Sequence, residues 1–197
     1  MTKKIILAVA LGIAVGYFLI ADDFFIPFDL FIDIGLMLLL FFVGIGIGLN
    51  RAVFSRVRRI GFKIFLIPAM MIIGSISGAM IAGIFLHIPY NEAGAIGAGL
   101  GWYSLSSILL ASYSNELATL AFVSNVVREV VGFMIIPLVA SKIGFFAAIA
   151  PAGAAAMDTG LPIIAKATDS ETTILAFISG ATCTLFVPIL VPIVLNL

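Results

Sequence analysis

Residues 116–137 read ELATLAFVSNVVREVVGFMIIP, from Glu116 to Pro137. Most of the stretch is apolar enough for a lipid bilayer, yet Asn125, Arg128 and Glu129 lie near its middle. If a helix enters a membrane at Glu116, Arg128 and Glu129 come twelve and thirteen residues later. At about 1.5 Å per residue that is roughly 18 Å, past the midpoint of a hydrocarbon core about 30 Å thick. An ionised side chain at that depth costs about 2.5–3.5 kcal/mol on insertion scales. Two adjacent ones require partners, water or a chemical task. On a helix Asn125 and Glu129 share a face with Gly132 and Ile136, while Ser124 and Arg128 form a neighbouring stripe. Glu129 and Arg128 point about 100° apart, so they need not pair with each other.

The composition agrees with a membrane setting. The chain has 197 residues, 63% hydrophobic and 10% charged, with a mean hydropathy of +1.30. A soluble domain carries about a quarter charged residues. Net charge is zero, and no basic face exists beyond one short loop, which argues against nucleic acid as a partner. A lone Cys183 excludes an internal disulfide and a multi-cysteine zinc site, and a lone His87 excludes a multi-histidine metal or haem site. No cofactor and no metal are expected.

In chain order, Lys3 and Lys4 precede an uncharged first span, Ile5–Ala21, in which Gly12 and Gly16 form a small-xxx-small pair. No small-x-small cleavage site precedes Asp22 and Asp23, so this span reads as a retained helix rather than a signal peptide. Span two covers about Leu30–Leu49. The following loop holds Arg51, Arg56, Arg58, Arg59 and Lys63, which with Lys3 and Lys4 places seven of the ten basic residues on one side. The positive-inside rule makes that side, and the N-terminus, cytoplasmic. Span three is Ile64–Leu86.

Two irregular segments follow. Ala93–Asn115 contains Gly94, Gly97, Gly99 and Gly101, then a polar run from Trp102 to Ser107. Glycine costs a helix interior up to about 1 kcal/mol relative to alanine, so the cluster predicts a break or a close backbone approach. Ile143–Ala165 has Asp158 and Thr159 between Pro151 and Pro162, leaving no room for a continuous crossing helix. The Glu116–Ala140 helix lies between the two, and Thr172–Leu197 closes the chain with Pro188 and Pro192 expected to bend or loosen its end.

The expected fold is an all-α integral membrane protein of seven hydrophobic segments. It is read as five full transmembrane helices plus two broken or re-entrant segments, with the C-terminus extracytoplasmic. Seven full crossings is the competing topology. It would put Lys142 outside, whereas re-entrant hairpins keep Lys142 and Lys166 inside, which the positive-inside rule favours. Residues 1–197 read as a single domain, with 1–92 as three scaffold helices and 93–197 as the broken-helix site region. Irregular backbone at membrane depth is tolerated only where protein or a watery cavity satisfies it. Two such segments are expected to face each other across a substrate site.

The candidate binding residues follow. Glu129 and Asp158 are expected to line a polar cavity and meet a cation, a proton, or both. Arg128 either holds a carboxylate, keeps the two acids apart, or neutralises one of them in a purely structural triad. Ser104 and Ser106, in the run from Gly99 to Ser106, offer hydroxyls beside free backbone amides, or else only pack closely. Trp102 and Tyr103 stack on a cation or anchor at the interface. Asn125 and Thr159 complete the polar set. His87 reads as a loop residue and Cys183 as a small apolar packer.

Three stretches carry a family likeness: Gly99-Leu-Gly-Trp-Tyr-Ser-Leu-Ser106; Asn125 through Arg128 and Glu129 to Pro137; and Gly153 through Met157-Asp158-Thr159-Gly160-Leu161-Pro162. By these the sequence resembles the bacterial lysine exporter family, LysO, over nearly its whole length. The resemblance implies a multi-pass bacterial inner-membrane protein that exports L-lysine, with related basic amino acids as further candidate substrates. It further implies Glu129 and Asp158 as the essential intramembrane acids. The chain resembles the C-terminal portion of the longer members and lacks their N-terminal helices. That implies a homo-oligomer, or a hetero-oligomer with a small membrane subunit.

On this reading the protein is a secondary transporter exchanging lysine for protons, and not an enzyme; no Walker motif is present to couple ATP. A non-transporting or pore-forming subunit that needs a membrane partner is the first alternative. An intramembrane hydrolase is the second, weakened because aspartic chemistry uses paired aspartates and Asp158 has only Glu129 at depth.

Overall fold

The computed structural model describes residues 2–19, 34–35, 37–38, 41–42, 45 and 61–197. All the regular structure among them is helical. The elements are α1 (Thr2–Leu19), a 3-10 turn (Gly61–Phe65) running into α2 (Leu66–Leu86), α3 (Tyr90–Ala98), α4 (Tyr103–Ala111), α5 (Asn115–Lys142), a 3-10 stretch (Ala147–Met157), α6 (Leu161–Ala167) and α7 (Ser170–Leu195). Three stretches among the described residues are long and apolar enough to cross a membrane: Gly61–Leu86, Asn115–Lys142 and Ser170–Leu195. The expected span Leu30–Leu49 and the basic loop after it lie mostly outside the described residues.

Local chemistry sets several boundaries. The Ser114 side chain accepts from the Leu117 N–H at the start of α5, and Asp169 accepts from the Thr172 N–H at the start of α7. Such caps contribute about 1 kcal/mol each by satisfying an orphan first-turn donor. At the end of α2, His87 takes a left-handed conformation and closes the helix. Pro188 and Pro192 do not end α7, which continues to Leu195.

The long helix α5 is the axis of the packing. Its buried residues are Leu117, Ala118, Ala121, Asn125, Gly132, Ile136 and Ala140. They recur every three or four positions, which makes one stripe on a 3.6-residue helix. Phe122, Val123, Val127 and Leu138 stay exposed on its other side, as a lipid-facing surface allows. In α7 the same periodicity buries Ala176, Ser179, Gly180, Cys183, Val187, Val191 and Val194.

The two irregular segments fold as hairpins entering from opposite ends of α5. In the first, the Tyr113 hydroxyl, just past α4, donates to Glu92 Oε1 in the first turn of α3 at 3.1 Å. Entry and exit of the segment therefore lie side by side. The last turn of α7 is at the same end, since Asn91 Nδ2 donates to the Leu195 carbonyl at 2.9 Å. With 26 residues, α7 spans roughly 39 Å. Its first turn, and α6 just before it, must then lie at the far end, where the second segment also begins after Lys142.

The hairpin tips meet beside the middle of α5. Helix α3 stops at Gly99, and the chain passes through Leu100 and Gly101 with φ of 52° and 97° before α4 begins. The second tip turns at Gly153 (φ 61°), where a Cβ would lie 2.2 Å from the Leu100 carbonyl oxygen. Only glycine permits that crossing. The expected glycine cluster thus divides in two: Gly99 and Gly101 belong to the break, whereas Gly94 and Gly97 sit inside α3.

Candidate functional site

At the meeting of the tips is a cavity of about 160 Å³ lined by Gly101, Trp102, Tyr103, Ser104, Glu129, Ala154, Ala155, Met157, Asp158, Thr159 and Thr184. Four parts of the chain converge there: the first tip with the start of α4, the middle of α5, the second tip with the turn before α6, and α7 through Thr184. Six of the nine residues singled out from sequence are thereby brought together: Trp102, Tyr103, Ser104, Glu129, Asp158 and Thr159.

The two acids are half-buried and are joined through Thr159. Its hydroxyl donates to Glu129 Oε1 and also lies 3.3 Å from Asp158 Oδ1. The Thr159 N–H fixes the same Asp158 oxygen at 2.6 Å. A threonine hydroxyl has one proton, so it donates to one carboxylate at a time. The other contact is satisfied when a protonated acid donates to the threonine oxygen. The geometry therefore suits a pair of acids holding one proton between them, or a cation with both ionised. At about 30 Å³ per water, the cavity has space for a few waters or an ammonium head group.

The remaining three residues lie elsewhere. Asn125 sits behind the first tip, 2% exposed. Its Oδ1 accepts from the Gly101 N–H at 2.8 Å, while its Nδ2 donates to the carbonyls of Ala121 at 2.9 Å and Ile96 at 3.3 Å. It replaces the helical hydrogen bonds that the break removes, as buried backbone requires. Ser106 is fully buried, 3.4 Å from Asn125 Nδ2, and donates to the Tyr103 carbonyl. Arg128 faces away from both acids and donates from Nη1 to Ser75 Oγ at 3.0 Å. The structural triad weighed from sequence is not the arrangement seen here.

Sequence reasoning missed Ser75 and Thr184. A serine inside the otherwise apolar span three was the available signal for Ser75. For Thr184 the signal was a hydroxyl one turn beyond Gly180, whose missing Cβ lets Met157 approach. Trp102 and Tyr103 line the cavity, and the Tyr103 ring also packs edge-on against Phe122 at 5.3 Å.

Fold and site together define a helical membrane protein whose polar centre is built from interrupted helices rather than continuous ones. The chain belongs to the lysine exporter LysO family, whose model matches residues 6–195. The family is one of exporters, not enzymes. The chain is 32% identical over 162 residues to "Lysine exporter LysO" of Escherichia coli K12, covering 79% of this chain and 52% of that protein. It thus spans about half the length of that relative. It is also 31% identical over 196 residues to a Haemophilus influenzae protein named "Putative lysine exporter", covering 95% of each. No solved structure matches.

Proposed function

We propose that this protein exports L-lysine across the bacterial inner membrane as a secondary transporter, taking protons in exchange. The observation that carries the reading is Thr159 joining Glu129 and Asp158 in a cavity where two broken segments meet. A lysine ammonium group occupies the pair when both acids are ionised. Protonation of one acid removes half of the countercharge and releases the cation. The protonated acid keeps that proton and donates it in a hydrogen bond to the Thr159 oxygen, while the Thr159 hydroxyl donates to the other carboxylate. Trp102 and Tyr103 close the cavity with aromatic faces that suit a cation. The Ser104 hydroxyl adds a hydrogen bond for the rest of the solute.

The topology is five membrane crossings and two re-entrant hairpins, the N-terminus cytoplasmic and the C-terminus outside. The Tyr113–Glu92 hydrogen bond supports the first hairpin, and Lys142 and Lys166 at one end of the second follow the positive-inside rule. At the first tip, unwound backbone is then satisfied by Asn125 and by the opposing tip.

The test is lysine counterflow in proteoliposomes under an imposed pH gradient. Wild-type protein moves lysine against its gradient, and Glu129→Gln and Asp158→Asn abolish this while keeping a monodisperse fold. Proton-driven movement surviving in both variants would sink the assignment.

A further inference from the structure

A larger cavity lies on the opposite face of the tip crossing. Its volume is about 450 Å³, and Ser75, Gly78, Ile96, Ser124, Asn125 and Arg128 are among the residues that line it. It shares no lining residue with the acid cavity. Arg128 is the charged group in its wall. The guanidinium makes one hydrogen bond among the described residues, to Ser75 Oγ. Ser75 in turn donates to the Gly97 carbonyl at 2.7 Å, so this hydroxyl is tied to the end of α3. The other terminal nitrogen, Nη2, lies against the second tip, 3.1 Å from where a Gly153 Cβ would stand.

A guanidinium has five N–H donors in a planar fork that fits a carboxylate with two parallel bonds. Arg128 is one of the residues lining the cavity, and one hydroxyl, that of Ser75, accepts from it among the described residues. Depth decides what can meet it. Arg128 is thirteen residues from one end of α5 and fourteen from the other, roughly 20 Å from either. A lipid phosphate does not reach that far, whereas a small solute does. A volume of about 450 Å³ also falls within the range of about 300–1,000 Å³ that small-molecule sites occupy. The acid cavity, at about 160 Å³, is below it.

We propose that this second chamber is a solute site in which Arg128 binds the carboxylate of a free α-amino acid. It rests on the export reading and adds to it. The two cavities share no lining residue, so the solute meets Arg128 through its carboxylate in one bound position and Glu129 and Asp158 through an ammonium group in another. A diamine without a carboxylate lacks the interaction with Arg128.

The experiment measures binding of radiolabelled L-lysine to the purified protein, with unlabelled L-lysine, L-lysinamide and 1,5-diaminopentane as competitors. Wild-type protein is expected to prefer lysine over both carboxylate-free compounds by about tenfold or more, the worth of a charged hydrogen-bond pair. Arg128→Gln is expected to bring the three together. Gly78→Leu is the independent variant. Gly78 lines the chamber and a Cβ there meets nothing within 4 Å, so leucine is expected to narrow the chamber, and lysine affinity to fall, in a protein that elutes and melts like wild type. Equal competition by all three compounds in wild-type protein overturns the carboxylate site and leaves export standing. Unchanged lysine affinity in Gly78→Leu does the same. Wild-type protein that neither binds nor transports lysine overturns the export reading itself.

Discussion

The Ala154 N–H donates to the Leu100 carbonyl at 2.9 Å, joining the two hairpin tips backbone to backbone. Leu100 is fully buried and Ala154 is 5% exposed. Each belongs to a stretch whose helical hydrogen bonds have been interrupted, and each tip supplies what the other lacks. The acid cavity lies on one side of this junction and the arginine chamber on the other. Small movements of either tip therefore alter both.

Gly153 is the position least able to change. Alanine there would place a methyl group 2.2 Å from the Leu100 oxygen, at a φ of 61°. The backbone strain alone costs about 1–3 kcal/mol, and the clash adds to it. Gly153→Ala is expected to lower the melting temperature and abolish lysine transport. Gly12→Ala, at a position that lines neither cavity and where a Cβ meets nothing within 4 Å, is expected to leave stability and transport intact.

Asn125 serves the backbone of the first tip rather than the acid cavity. Asn125→Leu strands the Gly101 N–H and removes donors from the Ile96 and Ala121 carbonyls. A buried polar group left unpaired costs about 1–3 kcal/mol. Thermal stability in detergent is expected to fall before any effect specific to lysine is visible. A variant that melts like wild type yet fails to bind lysine would place Asn125 in contact with the solute instead.

Thr159 is predicted to act through its hydroxyl. Thr159→Ser retains the bridge between Glu129 and Asp158 and is expected to keep most of the transport rate. Thr159→Val has nearly the same shape and no proton to share. Its lysine flux is expected to fall about tenfold or more, the equivalent of one charge-assisted hydrogen bond. Equal rates in the two variants would remove the hydroxyl from the mechanism.

Tyr113 offers a readout of the first hairpin that is independent of transport. Its hydrogen bond to Glu92, and then that carboxylate's charge, push the Tyr113 phenol above its ordinary value. The folded form holds the phenolic proton more tightly than the unfolded chain. The contribution is therefore complete below the ordinary tyrosine value of about 10 and is lost as pH rises through the higher folded one. In an alkaline absorbance titration, Glu92→Gln is expected to move one tyrosine to lower pH, and Tyr113→Phe to remove that transition. A titration unchanged by Glu92→Gln would mean that the ends of the hairpin are not in contact.

Much of this was legible in the residues themselves. Sparse charge and long apolar runs define the membrane class, because a bilayer admits few alternatives. Gly99 and Gly101, and Asp158 between Pro151 and Pro162, mark where helices break, since local propensity governs such positions. Glu129 stands out because an ionisable group at that depth is costly. These are properties of short windows and of depth along one helix.

The partition of the polar residues into two chambers is not a property of any window. Arg128 and Glu129 are neighbours in sequence, and helical geometry separates them by about 100°. Which cavity each meets depends on the tips that cross beside α5. Asn125 shares a helical face with Glu129, yet the Gly101 N–H claims it. Ser75 becomes a partner of Arg128 only when α2 packs against α3. Sequence alone determined that this chain lives in a membrane and breaks its helices around buried charge. The tertiary structure alone decided which charges share a cavity, because that depends on contacts between segments far apart in the chain.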